Sequence, residues 1–349
     1  MKYSIKKMIV TILFFMISGY PMNAAAEDIK RIILMETMPV PAVLEHSRWF
    51  QVQLKELGYE NGKNMDLVVL KANGDRKLAE TLLSAELAKG DLDIVVTIAT
   101  LASQAAVKLL KGKDIPIFFF QVSDPVGAGL VERLNAPTGS NITGKVFTVN
   151  RQAKIEMILR LVDQTNVRKP IRFGIIHSSY PSAMGDIRDF KIFEKTRNDV
   201  VIVPCEITYQ KVPDGLPSML EQVKKGIIAL DGKVDFWIEP LGPLGETLEY
   251  TSLLLTHSKI PIAIGTKLDS VKMGALMHVT PNMEASGREA ALLADGILKG
   301  KNPGQIPVIP PSEFDLGINL TTALNLNIVV PPDLLKMAGK NIYRSPKIP

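Results

Sequence analysis

Hydrophobic residues in this chain alternate between short continuous runs and longer stretches with helical spacing. Residues 65–70, 94–98 and 115–120 are apolar at most positions, whereas residues 78–87 and 101–110 repeat apolar side chains every three to four positions. Continuous apolar strands separated by amphipathic helices are typical of a parallel sheet that helices cover on both faces. The first part of the chain is therefore predicted to form a doubly wound α/β layer.

A second series of the same kind follows residue 150. Apolar runs again alternate with helical stretches, and a helix predicted at residues 283–298 ends the regular part. The proline-rich sequence after residue 298, through Pro311 to the end, is predicted to be irregular and to cross between lobes or wrap one of them. The predicted strands of this series are residues 171–176, 200–203, 234–238, 260–264 and 275–279.

The amino-terminal residues 1–26 combine three lysines, a thirteen-residue apolar run at 8–20, and small residues at Ala24 and Ala26. This pattern is typical of a cleaved secretory signal peptide. The alternative is a retained membrane anchor, but the run is shorter than the roughly 20 apolar residues that span a bilayer. We therefore expect export to the periplasm.

Composition indicates a globular protein, with 46% hydrophobic and 22% charged residues. The net charge of +5 includes the three lysines of residues 1–26, so the remaining basic side chains exceed the acidic ones by only two. We find no basic run interleaved with aromatic residues, and we expect no nucleic-acid partner. Cys205 is the only cysteine, which excludes an internal disulfide, and its apolar surroundings favour a small buried side chain.

Two loops that follow predicted strands carry hydroxyl groups. Ligands of doubly wound sheets bind beyond the carboxyl ends of the strands, where helix amino-termini present free N–H groups. Thr97, Thr100 and Ser103 surround the start of one such helix, and this arrangement suits an anion such as a carboxylate. The alternative is that Thr100 serves only as a helix cap.

The second loop, residues 177–181, offers Ser178, Ser179 and Tyr180 ahead of a proline. The hydroxyls suit a polar ligand, the ring suits stacking, and proline fits a first helical turn. The alternative is simple capping beside a surface tyrosine. Both loops remain candidates for a ligand cleft between two lobes.

The most distinctive string is Asp-Pro-Val-Gly-Ala-Gly-Leu-Val at residues 124–131, which alone predicts a tight strand-to-helix junction. Taken in order with segments 57–64, 115–118 and 141–144, it resembles the ABC transporter substrate-binding proteins, a family that includes binders of aromatic amino acids. Later segments agree, at residues 260–266, 274–276, 287–288, 318–319 and 331–335.

This resemblance implies a type I periplasmic binding protein, in which two doubly wound parallel-sheet lobes are joined by a three-strand hinge and close on a ligand. We assign residues 27–148 and 266–300 to the amino-terminal lobe, and residues 149–265 and 301–349 to the carboxyl-terminal lobe. The resemblance implies no cofactor, no metal and no catalytic residue, and we expect a monomer.

By the family's pattern, the two hydroxyl-bearing loops hold a carboxylate from opposite lobes, and Thr266 lines the cleft near the hinge. The resemblance implies the following ligand-binding residues: Thr97, Thr100, Ser103, Ser123, Asp124, Ser178, Ser179, Tyr180, Leu241, Thr266 and Asn282.

Two positions depart from that pattern. Leu241 stands where amino acid binders of the family tend to have an acid, and Asn282-Met283 replaces an Asp-Tyr pair. Without a carboxylate partner, an α-ammonium group is costly to desolvate. Glu239 is an alternative partner, although the proline after it can direct it elsewhere. We therefore expect a small solute that is carboxylate-bearing or neutral, rather than a standard aromatic amino acid.

The sequence offers little support for an enzyme. The four histidines show no metal-ligand spacing, and neither a nucleophile elbow nor a phosphate-binding loop is present. We predict the solute-binding protein of an ABC importer, with a small-molecule ligand and a membrane permease as partners. The alternative is a periplasmic ligand sensor that presents its closed form to a membrane signalling protein, because both roles need only ligand-driven closure.

Overall fold

The computed structural model describes residues 29–344, which form two α/β lobes. The first lobe contains a five-stranded parallel sheet with the strand order β2-β1-β3-β4-β5. Its strands are β1 (Lys30–Glu36), β2 (Met65–Lys71), β3 (Ile94–Ile98), β4 (Ile117–Val122) and β5 (Ile142–Val146). The helices between them are α1 (Pro41–Glu56), α2 (Arg76–Leu87) and α3 (Thr100–Leu110).

Burial on both faces explains the continuous apolar strands of this lobe. Along β1, Ile32 and Leu34 join one hydrophobic cluster, whereas Ile33 and Met35 join another on the opposite face of the sheet. Successive side chains of a strand point to opposite faces, so both faces need apolar residues when helices cover both. The predicted doubly wound layer is confirmed.

The second lobe contains a seven-stranded sheet with the order β12-β11-β10-β9-β8-β6-β7, in which only the β10 and β11 pair is antiparallel. Its strands are β6 (Ile171–Ser178), β7 (Val200–Ile207), β8 (Phe236–Ile238), β9 (Ile262–Gly265), β10 (Met277–Pro281), β11 (Phe314–Asn319) and β12 (Ile342–Tyr343). The later helices are α4 (Arg151–Val162), α5 (Pro181–Glu194), α6 (Leu216–Leu230), α7 (Leu248–His257), α8 (Leu268–Met273), α9 (Met283–Leu298), α10 (Leu320–Asn325) and α11 (Pro332–Ala338).

The chain crosses between the lobes at three places within the described residues. The first crossing joins β5 to α4 through residues 147–150. The second lies at Asn282, because β10 belongs to the second sheet whereas α9 packs on α1. The third spans residues 310–313, since Ile309 still bridges to β5 before the chain enters β11. Three crossings agree with the multi-strand hinge that the resemblance implies.

The structure differs from the predicted division of the lobes at two segments. Residues 266–281 lie in the second lobe, because β10 pairs with β9, and residues 301–309 lie against the first lobe, where Thr143 donates a hydrogen bond to Ile306. The sequence carries no marker of these changes, since a buried strand looks the same in either sheet.

The carboxyl-terminal tail is more regular than predicted. Instead of irregular sequence throughout the region after residue 298, the part from Phe314 onward forms β11, α10, α11 and β12. Pro332 opens α11, where a proline is tolerated at the first helical position, so the prolines that suggested an irregular tail begin a helix. The predicted signal peptide, residues 1–26, lies outside the described residues. Among residues 29–344, no helix combines the length and apolar character needed to cross a membrane.

Asn282 caps the helix that begins at the second crossing. Its side-chain oxygen accepts a hydrogen bond from the Ala285 amide at 2.8 Å, and its Nδ2 donates to Asp315 Oδ2 at 3.0 Å. Both polar ends of this predicted ligand contact are therefore used to hold α9 and β11 at the hinge.

Replacing Asn282 with alanine is expected to lower the free energy of unfolding by about 1 kcal/mol, because α9 loses its cap. Urea denaturation of the two proteins measures the difference. Asn282→Ser retains a capping oxygen and should recover most of the loss. Equal stability of the alanine and parent proteins would contradict this role.

Candidate functional site

The two lobes contact one another through side chains as well as through the crossings, so the structure shows a closed arrangement. Arg188 on α5 donates to Asp124 Oδ2 of the first lobe at 2.7 Å, and Lys211 forms an ion pair with Asp75. Asp124 also accepts the Gly127 amide at 2.8 Å. Asp124, predicted as a ligand contact, therefore joins the lobes and does not line the cavity between them.

A cavity of about 690 Å³, its open mouth included, lies between the lobes. Most of its wall follows the carboxyl ends of strands: Thr100 comes after β3, Tyr180 after β6 and Leu241 after β8. The first lobe contributes Met38, Val40, Val43, Ala99, Thr100, Gln121 and Ser123. The second lobe and the crossings contribute Phe147, Thr148, Val149, Lys154, Tyr180, Ser182, Leu241, Gly242, Pro243, Glu246, Val279, Thr280 and Pro281.

Four of the predicted ligand-binding residues line this cavity, namely Thr100, Ser123, Tyr180 and Leu241. They come from both lobes, as a ligand that is enclosed by closure requires. The other seven predicted residues lie outside the lining.

The hydroxyls of the first loop are largely used within the loop itself. Thr97 and Ser103 hydrogen-bond each other at 2.9 Å, and Ser103 Oγ also donates to the Ala99 carbonyl at 2.8 Å. These bonds hold the start of α3 in place and leave Thr100 as the hydroxyl that reaches the cavity.

The hydroxyls of the second loop are used in a similar way. Ser178 Oγ accepts the Tyr180 amide at 3.4 Å, and Ser179 Oγ accepts the Tyr209 amide at 3.0 Å. Thr266 donates to the Pro240 carbonyl at 3.2 Å. These groups position the wall without facing the cavity.

Glu239, the alternative partner for a ligand ammonium, is fully buried and already has partners. Its Oε1 accepts from Thr251 Oγ1 at 2.6 Å, and its Oε2 accepts from the Thr266 amide and Ser270 Oγ at 2.7 Å each. It does not line the cavity, so it does not act as that partner in this arrangement.

Three polar groups at the cavity are buried and have no hydrogen-bond partner within the described residues: Gln121 Oε1, Ser123 Oγ and the Tyr180 hydroxyl. Burial raises the pKa of Tyr180 well above its usual value, so its hydroxyl stays neutral. Leaving a buried polar group unpaired costs about 1–3 kcal/mol. A polar solute in the cavity offsets that cost.

The backbone at this wall is also unusual. Gln121 and Ala99 have φ of 58° and 69°, in a region that residues other than glycine rarely adopt. Such conformations cluster at functional sites, where the surrounding structure holds them in place. Here they precede Ser123 and open α3, the two places where the first lobe presents hydroxyls.

Lys154 is a cavity residue that the sequence analysis missed. It is only 5% exposed, and burial lowers the pKa of its ammonium. It has neither a hydrogen-bond nor an ion-pair partner among residues 29–344. The available signal was its place on the apolar stripe of α4, at helical spacing from the buried Ile158 and Leu161.

Glu246 is the second missed residue. Its side chain is half-buried, and burial raises its pKa to about 7 against the opposing effect of Lys267. The sequence offered no clear signal for it, because an acid in a glycine-rich loop is typical of a solvent-exposed turn.

Known proteins match nearly the whole described chain. Residues 32–342 match the model of a family described as ABC transporter substrate binding protein. A tyrosine-binding protein from Clostridioides difficile (strain R20291) is 29% identical over 315 residues, which cover 90% of this chain and 84% of that protein.

Two solved structures share the two-lobed fold. An ABC domain from Streptococcus pneumoniae in complex with L-Trp gives a TM-score of 0.72 at 23% identity, with 91% of this chain and 100% of that chain covered. The ligand-free, open structure of a substrate-binding protein with adhesive properties from Clostridium difficile gives a TM-score of 0.62 at 24% identity. The match covers 90% of this chain and 99% of that chain.

Lys154→Met is expected to stabilise the ligand-free protein by about 1–3 kcal/mol, because it removes a buried charge that has no partner. Arg151→Met, one turn earlier on the same helix, is the matched control. Arg151 is also buried but donates to Asp186 at 2.8 Å, so its loss should cost about 3 kcal/mol.

Both variants are compared with the parent by urea denaturation after refolding from denaturant, which removes any solute retained from the cell. If Lys154→Met destabilises the protein as much as Arg151→Met, Lys154 is a structural residue and not an unpaired site residue.

Proposed function

The chain belongs to the ABC transporter substrate-binding protein family, as the resemblance predicted, and we propose that it captures a small organic solute between its lobes for an ABC importer. The observation that carries this proposal is the cavity, which encloses unpaired polar groups from both lobes. A solute that touches both lobes stabilises the closed state relative to the open one. The membrane permease of the importer then recognises the closed form. We further propose that the protein acts as a monomer in the periplasm after cleavage of residues 1–26.

A carboxylate is the proposed anchoring group of the solute. Thr100 is the first residue of the eleven-residue α3; its cap residue Ala99 has no capping side chain, and of the first-turn amides that of Ala102 donates to Thr37 Oγ1 at 3.1 Å. Free amides and a hydroxyl at a helix amino-terminus favour an anion. The tyrosine and tryptophan named for two relatives carry such a group, which supports an amino acid or a similar solute here.

The proposal is tested by a thermal-shift screen of amino acids, organic acids, sugars and purines against the refolded protein. We expect at least one class to raise the melting temperature, because binding to the native state stabilises it. Small-angle X-ray scattering should then show that the same solute makes the protein more compact. An absence of any shift and any compaction across the screen would overturn solute capture.

Thr100→Val and Ser123→Ala should each weaken binding of the solute found in that screen by about 1–3 kcal/mol, since a solute polar group loses its partner. Isothermal titration calorimetry measures the change. Ser103→Ala is the matched control, because its hydroxyl lies on the same helix as Thr100 but bonds Thr97 instead of facing the cavity. Equal losses in all three variants would place the ligand elsewhere.

Arg188→Ala is expected to weaken affinity by about 0.2–1 kcal/mol, because the closed state loses its ion pair with Asp124. Arg188 is half exposed, so salt should screen this contribution. Calorimetry at low and high ionic strength should show the parent approaching the variant as salt rises. A difference between them that persists in high salt would argue against a screened ion pair.

A further inference from the structure

Charge in the cavity wall is confined to one lobe. Among the described residues that line the cavity, Lys154 and Glu246 are the charged ones, and both belong to the second lobe. Neither side chain has a hydrogen-bond or ion-pair partner within residues 29–344, and the two do not pair with each other at 4.0 Å or less. Two opposite charges thus face the same space separately.

No acid within residues 29–344 forms an ion pair with Lys154, although the carboxylate of Glu246, in the same cavity wall, acts on its ammonium from a greater distance. Asp186, the first charge that acts on it, accepts a hydrogen bond from Arg151 at 2.8 Å. Glu239 is held by the Thr266 amide and by hydroxyl groups. A buried ammonium without a counter-ion is costly, and a bound anion supplies one. Its place in the wall therefore indicates the anionic end of a solute.

Glu246 reaches the cavity through a tight turn. The turn leaves β8 after Glu239, and a side chain at Gly245 would collide with the Pro240 carbonyl. Gly242 has a φ of 95°, which also favours glycine. This turn brings Glu246, five positions after Leu241, to the same cavity wall as Leu241. The acid that Leu241 lacks is thus supplied from further along the chain.

Lys267 does not satisfy this carboxylate. Its ammonium donates to the Gly245 and Thr247 carbonyls at 2.8 Å each, and these hydrogen bonds hold the backbone on both sides of Glu246 in place. The carboxylate of Glu246 therefore remains open to a cation in the cavity.

We propose that Lys154 and Glu246 determine which solute is accepted: Lys154 binds its carboxylate and Glu246 binds its protonated amine, so that the ligand is a small zwitterion. This inference rests on the proposed solute capture. Met38, Val43 and Phe147 leave an apolar side of the cavity for the body of the solute. The two charged residues then distinguish a zwitterion from an acid or an amine of the same shape.

The test uses matched sets of probes, each consisting of an amino acid, its deaminated acid and its decarboxylated amine, for example phenylalanine, 3-phenylpropionate and phenethylamine. All twenty amino acids are screened by thermal shift. For each amino acid that binds, calorimetry then measures the affinity for the amino acid, its deaminated acid and its decarboxylated amine. We expect the amino acid to bind the parent roughly 30-fold or more tightly than either analogue.

The variants identify the residue responsible. Glu246→Gln should weaken the affinity for the amino acid by roughly 30-fold and leave the affinity for the deaminated acid nearly unchanged. Lys154→Met should weaken the affinity for both and leave the affinity for the amine nearly unchanged. Circular dichroism confirms that each variant is folded. Equal binding of the amino acid and its deaminated acid by the parent, or equal losses of both in Glu246→Gln, would overturn the inference.

A pH series provides an independent readout. The pKa of Glu246 is about 7, and Lys154, Lys267 and Glu239 are the charged groups around it. Its carboxylate is protonated as the pH falls through 7, so amino acid affinity should fall from pH 8 to pH 6 and Glu246→Gln should remove that slope. A slope that persists in the variant would overturn the role of Glu246.

The screen also separates the two proposals. If neutral sugars, purines or simple acids bind and no amino acid does, solute capture stands and the zwitterion inference is wrong. If no probe binds or compacts the protein, solute capture itself is wrong.

Discussion

Helices cover both faces of both sheets, and this single constraint arranges the rest of the molecule. A parallel strand that is buried on both faces exposes only its ends, so ligand contacts concentrate where strands finish. Thr100, Ser123 and Tyr180 each follow the carboxyl end of a strand, and the crossings turn those ends of the two sheets toward one gap. The cavity is thus a product of layer packing and chain crossing rather than of any one motif.

The sequence was sufficient to predict the layers and the loops, but not how individual polar groups are used. Periodicity identified the buried strands because burial acts on each residue type locally. Whether Thr97 faces a ligand or bonds Ser103 depends on side-chain directions that only the folded loop defines. The crossings were misplaced for a similar reason, because β10 is equally apolar in either lobe. Lys154 was readable in principle, as a lysine on the apolar stripe of α4.

The turn after β8 shows why position along the chain is an incomplete guide to a site. Leu241 occupies the place where an acid was expected, and the lack of one argued against an ammonium-bearing ligand. The folded turn, held by Lys267 and made possible by Gly245, brings Glu246 to the same wall. Under the proposed role of Glu246, the acid for the ligand's amine lies at the same wall but five positions later in the chain than expected.

The one-sided placement of charge has a consequence for the order of events. In an open molecule, the half that carries Lys154 and Glu246 already presents both electrostatic contacts, whereas the other half offers only uncharged groups. On the proposed binding mode, a charged solute first binds the half that carries both charges, and the other half then closes over it with uncharged groups. If the proposed permease receives the solute, release would begin with the uncharged half moving away, a step that separates no charge in the cavity from its counter-ion.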